Sequence, residues 1–457
     1  CNRTVIDSPV NIHAIERFIG DEAIRKNWKV KFNKKPEGKR VLIIGAGPSG
    51  LSAAYHLTRM GHSVEIHEAG PVAGGMMHFG IPAYRLPRNI LDYEVRRIMA
   101  MGVKIVLNHK VEDVLSEKKA GSFDAVFIAV GAHLSKKIDI PSNDAVKIFD
   151  AITFLKQIEK GEKPKIGRRV AIYGGGNTAM DVARTVKRMG ASEAMVIYRR
   201  DKNHMAAHRF EAEEALEEGV KINWLRTIKT MDKNAFKVEI MQLVDGKPIP
   251  TGQFETLEAD TLILAVGQDT DTAFLQHIKG IEFKQDGTVI VNSKMMTGYE
   301  GIFAGGDMIP SERSVTVAIG HGKKAARHID AFLRRVPYAK APKHPIVGPE
   351  KLHLWYKTNA PQENQAILPI EKRLEGFDEI KAGLSEKDIL YESKRCLSCG
   401  NCFECDGCYG ACPEEAIIKL GPGKRYEYNF DRCTGCAICY EQCPCHAIEM
   451  IPEPKKL

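Results

Sequence analysis

The chain has 457 residues, of which 44% are hydrophobic and 27% are charged, and its formal net charge is +8. This composition is that of an ordinary globular chain, and the length allows about three domains of ~150 residues. The positive charge forms no polybasic run, which argues against nucleic-acid binding, and no apolar run approaches the ~20 residues of a membrane-spanning helix. We therefore expect neither a nucleic-acid partner nor a membrane span.

The stretch "DSPVNIHAIERFIGDEAI" near the start predicts a helix. Ser8 would cap it and Pro9 would occupy its first turn. Its apolar stripe, spaced for packing against a core, would comprise Ile12, Ile15, Phe18 and Ile19. Because the chain opens on Cys1 rather than on Met, we expect it to be a fragment of a longer protein.

The next segment, "RVLIIGAGPSGLSAAYHLTRMGHSVEIHE", predicts a strand, a glycine-rich turn, a helix and a second strand. Gly45 permits the tight turn, Gly47 lets the backbone approach a pyrophosphate, and Gly50 allows close packing of helix on strand. Glu68, at the end of the second strand, would accept hydrogen bonds from ribose hydroxyls and repel a 2′-phosphate. This unit predicts binding of FAD or NAD.

The same grammar returns in "RVAIYGGGNTAMDVARTVKRMGASEAMVIYRR", which indicates an internal duplication. Gly174, Gly176 and Ala179 form its GxGxxA fingerprint. Its second strand ends on Arg199 and Arg200, whose guanidinium groups could pair with a 2′-phosphate. The unit therefore favours NADPH, with NADH still possible; the alternative is that the two arginines only make surface ion pairs.

Eleven of the twelve cysteines follow residue 395, a crowding that favours metal binding in a reducing cytoplasm over structural disulfides. Two runs obey the bacterial ferredoxin rule C-x2-C-x2-C-x3-C-P, in which the fourth cysteine of each run ligates the other cluster. The rule predicts two 4Fe–4S clusters. The first would be held by Cys402, Cys405, Cys408 and Cys443, and the second by Cys433, Cys436, Cys439 and Cys412.

Three cysteines of this region are left over, namely Cys396, Cys399 and Cys445. They read most simply as buried or partly buried thiols. A third cluster or a zinc site would need a ligand beyond these three.

Together these motifs resemble the flavoprotein reductases with two dinucleotide-binding domains, in which an NADPH domain is inserted into an FAD domain. The resemblance implies that Asp307 in "GIFAGGDMIP" binds FAD and that the helix start around Thr316 and Ala318 faces the flavin ring. It also implies that Gly131 in "DAVFIAVGA" and Gly267 in "DTLILAVGQ" lie in the strand motifs where the chain crosses between the domains.

More narrowly, residues 1–395 resemble the small (β) subunit of NADPH-dependent glutamate synthase. "GGMMHFGIPAYRLP" would lie beside the flavin with Gly75 and Arg85, and the NADPH segment would add Asn177 and Thr178. Cys1 would be the last ligand of a further N-terminal 4Fe–4S cluster whose other ligands precede this chain. The C-terminal ferredoxin module departs from that subunit and resembles the iron–sulfur flavoprotein that serves dissimilatory sulfite reductase.

The resemblance implies an NAD(P)H-dependent FAD/iron–sulfur oxidoreductase that is cytoplasmic, with a homodimer as one possible assembly. Hydride would pass from NADPH to FAD, and single electrons would pass through the clusters to ferredoxin or a sulfite-reductase-type partner, in a direction that the sequence leaves open. Alternatives are the small subunit serving the large subunit of glutamate synthase and, outside enzymes, a redox-sensing or assembly scaffold. Hydride transfer needs no acid or base from the chain, so no catalytic residue is assigned; His78 and His204 read as packing or surface residues.

The predicted fold class is α/β, with two interleaved three-layer Rossmann-like domains and a C-terminal α+β ferredoxin-like domain. The predicted boundaries are an N-terminal helical segment at 1–38, FAD-binding parts at 39–155 and 266–335, an NAD(P)H-binding domain at 156–265, a proline-rich linker at 336–395 and the ferredoxin domain at 396–457.

Overall fold

The computed structural model describes residues 1–30, 38–136, 138–141, 147–232, 234–341, 343, 346–355 and 357–452. The chain divides into a larger unit, residues 29–338 and 368–380, and a smaller unit, residues 1–28, 339–367 and 381–457. Two prolines of the predicted linker, Pro342 and Pro345, lie outside the described residues. Within the described residues, no helix combines the length and apolar character needed to cross a membrane.

Helices and strands alternate along most of the larger unit. The helices are α1 (Ile12–Arg25), α2 (Pro48–Arg59), α3 (Met76–Phe79), α4 (Arg88–Met99), α5 (Val114–Ala120), α6 (Ala151–Glu159), α7 (Asn177–Arg188), α8 (Arg209–Glu217), α9 (Val315–Arg334), α10 (Ile370–Glu375), α11 (Glu386–Arg395), α12 (Gly407–Ala411) and α13 (Ile438–Glu441). The strands are β1 (Arg40–Ile44), β2 (Ser63–His67), β3 (Lys104–Val106), β4 (Ala125–Ile128), β5 (Leu134–Ser135), β6 (Lys147–Asp150), β7 (Arg169–Tyr173), β8 (Glu193–Tyr198), β9 (Lys221–Trp224), β10 (Arg226–Asp232), β11 (Ala235–Val244), β12 (Lys247–Glu258), β13 (Thr261–Leu264), β14 (Gln268–Asp269), β15 (Ile302–Ala304), β16 (Ile417–Lys419) and β17 (Tyr426–Tyr428).

The first sheet of the larger unit is a five-stranded parallel sheet with the strand order β15-β4-β1-β2-β3. Its central strands β1 and β4 are almost continuous apolar runs, as expected for parallel strands that are covered on both faces. The helices α2 and α9 pack on it, and the sheet and helices share one hydrophobic core. The topological switch lies between β1 and β4, where an open parallel sheet offers a dinucleotide crevice.

The second sheet repeats this plan with the strand order β6-β13-β7-β8-β9, again entirely parallel. Its helix α7 follows β7 directly and lies in a second core. A three-stranded antiparallel sheet of β10, β11 and β12 covers the other side and builds a third core. The short strands β5 and β14 pair with each other and lie on the two chain segments that connect the parallel sheets.

The smaller unit contains α1, α11 and the cysteine-rich segment, where β16 and β17 form an antiparallel hairpin between α12 and α13. The predicted capping pair at the start of α11 is present, since Ser385 and Asp388 form a capping box. The predicted start of α1 was wrong. The helix begins at Ile12, and the side chain of Asn11, not Ser8, accepts the capping hydrogen bond from Ala14 N.

The predicted apolar stripe of α1 was also wrong in part. Ile12 and Ile19 are exposed, whereas Ala14 is buried and packs with Leu384 and Ile389. Ile15 and Phe18 contribute to the same cluster as predicted. The error follows from the starting point, because a helix that begins at Asn11 is rotated by its partner α11 rather than by its own pattern.

The two parallel sheets and the C-terminal hairpin with its short helices confirm the predicted fold class. The domain boundaries stay predictions. Strand β6 belongs to the second sheet and α6 packs in its core, so the predicted boundary at 155/156 falls inside a helix of the second domain.

Candidate dinucleotide sites and cysteine centre

The first glycine turn, between β1 and α2, can be built only with glycine at two positions. Gly45 has φ +102°, and a Cβ there would lie 2.5 Å from the carbonyl oxygen of Ala129. A Cβ on Gly50 would lie 2.0 Å from the carbonyl oxygen of Gly45. A Cβ on Gly47 would meet nothing within 4 Å, which leaves the space above the start of α2 open to a phosphate.

Two distant segments lie against this turn. The Cβ position of Gly75 is 3.0 Å from the Cα of Gly47. Gly306 lies against Ser49, at 3.2 Å from its Cβ, and brings the neighbouring Asp307 to the same region. Burial raises the pKa of Asp307, and the positive charge of Arg313 opposes this shift. The predicted first-site residues therefore converge on one end of the first sheet.

The long helix α9 follows Asp307 and begins at Val315. Ser314 caps it by accepting a hydrogen bond from Val317 N. Thr316 and Ala318 therefore lie in its first turn, where free backbone N–H groups and the helix dipole favour negative charge.

Glu68 follows β2 directly, and its carboxylate is anchored in the first turn. One oxygen accepts a hydrogen bond from Ala46 N and the other from Gly70 N, both at 2.7 Å. Each oxygen keeps a further lone pair for a donor such as a ribose hydroxyl. The position and charge of Glu68 thus fit an adenosine ribose without a 2′-phosphate.

The second glycine turn has the same construction. Gly174 has φ +147°, and a Cβ there would lie 2.2 Å from the carbonyl oxygen of Ala265, whereas a Cβ on Gly176 would meet nothing within 4 Å. Ala179 is fully buried in the first turn of α7. Asn177 accepts a hydrogen bond from His208 N at 2.9 Å, which fixes the loop after β8 over the glycine turn. Thr178 lies beside it and is half-buried.

Arg199 and Arg200 follow β8 at the position that Glu68 occupies after β2. Arg199 is exposed, Arg200 is half-buried, and the Arg200 Nε is a buried donor that has no hydrogen-bond partner. Across the described part of the chain, neither guanidinium group takes part in an ion pair. Surface ion pairing, the alternative role for these arginines, is therefore not what the described residues show.

Gly131 and Gly267 lie where the chain crosses between the two sheets. Both have positive φ, +71° and +117°. Lys136 N donates a hydrogen bond to the carbonyl of Gly267 at 3.1 Å, next to the pairing of β5 with β14. The two predicted crossing points are therefore brought together, although their contact with a cofactor stays a prediction.

Arg85 lies in a different environment from the one that the resemblance implied. Its guanidinium group donates to both carboxylate oxygens of Asp181, at 2.7 and 2.9 Å, and to Glu211 at 2.5 Å. Burial raises the pKa of Asp181 to about 6, and Arg85 opposes the shift. Since Arg85 is already shared by two buried carboxylates, it ties residues 75–87 to α7 and α8, and a cofactor contact by this side chain stays a prediction.

A buried polar cluster beside Arg85 was missed from the sequence. Arg184 and Arg188 both form ion pairs with Glu218, and the Arg188 guanidinium lies 4.0 Å from the centre of the Tyr84 ring. Their spacing with Asp181 on one face of α7 was the available signal, but charged residues at helical spacing usually lie on a solvated face.

The first cysteine run brings four thiols together. Burial raises the pKa of Cys408 to about 11, and the neighbouring Cys402, Cys405 and Cys443 raise it further. Backbone N–H groups point at two of the sulfurs, from Glu404 to Cys402 and from Ala447 to Cys443. Such donors would stabilise sulfur-bound negative charge on a cluster.

The second run forms a corresponding set. Burial raises the pKa of Cys439, with contributions from Cys433, Cys436 and Cys412. Tyr428 lies beside both sets, because burial and then the neighbouring Cys408 and Cys439 raise its pKa. The two groups of neighbours are the two predicted ligand sets, with Cys412 and Cys443 crossing between the runs. The donor chemistry therefore fits two iron–sulfur cubanes, whose number stays a prediction.

The remaining cysteines have separate environments. Cys1 and Cys396 are exposed, so the expectation that Cys396 is at least partly buried was wrong. Cys399 is half-buried and accepts a hydrogen bond from the Asn2 side chain at 3.4 Å. Cys445 is buried, 3.9 Å from the Cys443 sulfur, and the hydrogen bond between them lowers the pKa of Cys443 to about 5.

The two singled-out histidines have ordinary environments. Burial lowers the pKa of His78, helped by Arg88. His204 is exposed, and its Nδ1 lies 2.7 Å from the Asp201 carboxylate.

Two protein families match the chain. Residues 39–322 match the family described as pyridine nucleotide-disulphide oxidoreductase, and residues 426–449 match the one described as 4Fe–4S binding domain. The second match covers the second cysteine run.

Curated relatives are similar over most of the chain. The β subunit of an NADP(+)-dependent formate dehydrogenase from Moorella thermoacetica is 34% identical over 87% of this chain and 63% of the relative. The β subunit of an NADPH-Fe(3+) oxidoreductase from Geobacter sulfurreducens is 31% identical over 87% of this chain and 67% of the relative. The small chain of NADPH glutamate synthase from Escherichia coli is 33% identical over 71% of this chain and 75% of the relative. The chain thus spans about two thirds of the length of the first two.

Solved structures share the fold of the larger part of the chain. Mycobacterium tuberculosis FprA in complex with NADPH is similar with a TM-score of 0.55 at 18% identity, over 65% of this chain and 84% of FprA. Lactococcus lactis thioredoxin reductase is similar with a TM-score of 0.51 at 22% identity, over 65% of this chain and all of that chain.

Proposed function

Since the chain belongs to the pyridine nucleotide-disulphide oxidoreductase family, we propose that it passes electrons from NADPH through FAD and two 4Fe–4S clusters to a redox partner. The predicted resemblance to glutamate synthase small subunits and the prediction of an NAD(P)H-dependent FAD/iron–sulfur oxidoreductase are confirmed by the family matches and the relatives. The partner, the number of clusters and the residues that hold each group are the proposed part.

The two glycine turns support a division of labour between the nucleotides. The acid Glu68 suits the ribose of FAD, and the arginines after β8 suit the 2′-phosphate of NADPH. FAD, when bound, takes up a hydride as an electron pair and gives up single electrons, which is what an iron–sulfur acceptor requires. The chain's own task is to orient the two nucleotides and to keep water from the transfer.

The observation that carries the proposal is the combination in one chain of two open glycine turns with opposite charge and two interleaved sets of thiols. A nucleotide-only reductase would have no use for the second feature, and a ferredoxin would have no use for the first. The thiols are free, which fits a reducing cytoplasm.

Anaerobic stopped-flow mixing with NADPH tests the path. We expect bleaching of the flavin band and then of the iron–sulfur band, and direct reduction of an artificial dye in steady state. Cys408→Ser should retain flavin reduction, lose about four irons per chain and lose the second phase. The matched control Cys396→Ser changes an exposed cysteine outside both sets and should leave both phases intact. Flavin reduction with permanently oxidised clusters in the wild type would refute the path, and absence of dye reduction would favour a scaffold.

The acceptor we propose is ferredoxin or a sulfite-reductase-type enzyme, with the direction of flow set by the potentials of the bound groups. A second candidate, the small subunit of glutamate synthase, is favoured by the 33% identity to that small chain. The relatives named as β subunits support service to a larger enzyme in either case. Adding a glutamate synthase large subunit to the NADPH-reduced holoprotein distinguishes the candidates, because glutamate would form only in the second.

A further inference from the structure

Two histidines and a glutamate form a compact group at one end of the first sheet, outside the residues assigned to nucleotides or clusters. His67 is the last residue of β2, His109 follows β3, and Glu117 lies in α5. One nitrogen or oxygen of each lies within 4.8 Å of the other two. His67 Nδ1 and His109 Nε2 are each 3.1 Å from the same oxygen of Glu117.

The protonation of His67 leaves this arrangement incomplete. Its Nε2 lies 3.0 Å from a carboxylate oxygen of Glu65, which can only accept, so Nε2 carries the proton. The Nδ1 of the neutral ring then presents a lone pair toward Glu117. This side chain is only 7% exposed, and Nδ1 has no hydrogen-bond partner. An electron-rich nitrogen and a carboxylate oxygen face each other in a partly dehydrated site, which a cation between them would resolve.

We propose that His67, His109 and Glu117 bind a divalent transition metal ion of the zinc class. Two imidazole nitrogens and one carboxylate oxygen are a ligand set that Zn²⁺ uses, with water as a fourth ligand. Ligand atoms at about 2.0–2.1 Å from a tetrahedral metal are ~3.3 Å apart, which is close to the two observed contacts of 3.1 Å.

The charges around the group favour this assignment. Lys104 donates to Glu65 at 2.9 Å, and a guanidinium nitrogen of Arg40 lies 3.8 Å from it, so the carboxylate that orients His67 is already neutralised. Among the described residues, the ion-pair partners of Glu117 are only the two histidines. Glu65 thus acts as the carboxylate that holds a metal-binding imidazole in the right tautomer, and Glu117 keeps its charge for the metal.

The metal would join three segments next to the first glycine turn. His109 N donates to the carbonyl of Glu68 at 2.9 Å, and Asn108 N donates to that of Gly70 at 3.0 Å. A metal bound by His109 and His67 would therefore fix the loop after β3 to the end of β2, the strand that carries Glu68. We assign the metal a structural role, because it binds the native arrangement of these segments and not the unfolded chain.

Zinc binding to the anaerobic holoprotein tests the proposal, with zinc buffered by a chelator and counted by mass spectrometry after gel filtration. X-ray absorption at the zinc edge separates this site from cysteines, because the proposed ligands give a nitrogen and oxygen shell without sulfur. We expect about one zinc per chain in this shell, and an increase in melting temperature with added zinc.

His109→Ala and Glu117→Gln should each weaken zinc binding at least about tenfold and abolish the zinc-dependent stabilisation. Both residues are partly exposed, so their variants should fold, as flavin content and melting temperature in chelator would verify. His277→Ala is the matched control, because this exposed histidine lies near the start of the same helix, 3.6 Å from Asp113. A sulfur-only zinc shell in the wild type, or equal zinc binding by His109→Ala and wild type, would overturn the proposal.

Discussion

The two parallel sheets of the larger unit share a backbone plan and differ in charge. In both, a glycine with positive φ turns the chain against a carbonyl of the crossing strand, Ala129 in the first and Ala265 in the second. After the second strand of each, the first has Glu68 held by two backbone N–H groups, and the second has two arginines without ion pairs. The backbone makes a phosphate site in both, whereas the residue at the strand end selects the nucleotide.

The third fingerprint position differs for a steric reason. A Cβ on Gly50 would meet the carbonyl oxygen of Gly45 at 2.0 Å, so α2 must lie directly on its turn. The corresponding Ala179 is fully buried without such a collision, so α7 leaves room for one methyl group. A fingerprint glycine therefore indicates how closely helix and turn pack.

The largest effect should come from filling the turns. Gly45→Val would collide with the Ala129 carbonyl and require a disfavoured φ, and we expect flavin content to fall at least about tenfold. Gly174→Val, the same change in the second turn, should keep the flavin but lose its reduction by NADPH. Absorbance of the purified protein and anaerobic titration measure the two effects.

Gly190→Ala is the control for both valine variants, because Gly190 also has positive φ, +91°, but has open space around its Cβ position. Equal loss of flavin in both valine variants would contradict the division between the two turns.

The connection between the two sheets is the next test. Arg85→Met would leave Asp181 and Glu211 buried without their shared cation, and we expect a loss of about 3–5 kcal/mol in the free energy of unfolding. Chemical denaturation measures it. Arg209→Ala removes an exposed ion pair with Glu213 and should have no measurable effect. Unchanged stability with lost flavin would instead make Arg85 a cofactor ligand.

A smaller effect should follow from exchanging the charge at the second strand end. Charge-assisted hydrogen bonds contribute about 1.5–3 kcal/mol, so the double variant Arg199→Ala and Arg200→Ala should raise KM for NADPH roughly 10- to 100-fold. KM for NADH should stay within about twofold, since NADH has no 2′-phosphate. The exposed Lys202 provides a control, Lys202→Ala. A parallel rise in both KM values would show that the arginines do not read the phosphate.

The smallest effect should come from Glu68→Gln. The amide keeps one acceptor oxygen, so one of the two backbone N–H groups loses its partner and the charge disappears. We expect FAD to bind several-fold more weakly, corresponding to about 1 kcal/mol. Fluorescence titration of the FAD-depleted protein measures the affinity, with exposed Glu112→Gln as the control. Undiminished affinity would remove Glu68 from the site.

The sequence by itself determined the duplicated strand–turn–helix units, the capping box at Ser385 and the register of the two cysteine runs. These features depend on neighbours within a few residues, where φ, spacing and residue type act directly. The start of α1 was missed although it is local, since Ser8 and Asn11 are both competent caps and the packing of Ala14 on α11 selects the second.

Only the tertiary structure decided which distant side chains meet. Arg85 is 96 residues from Asp181 in the chain, and His67 is separated from Glu117 by a strand and two helices, so no local pattern links them. The exposure of Cys396 and the collision that forbids a side chain at Gly50 likewise depend on surrounding atoms. Ion pairs, metal ligation and close packing act over a few ångströms in space, and the fold alone sets those distances.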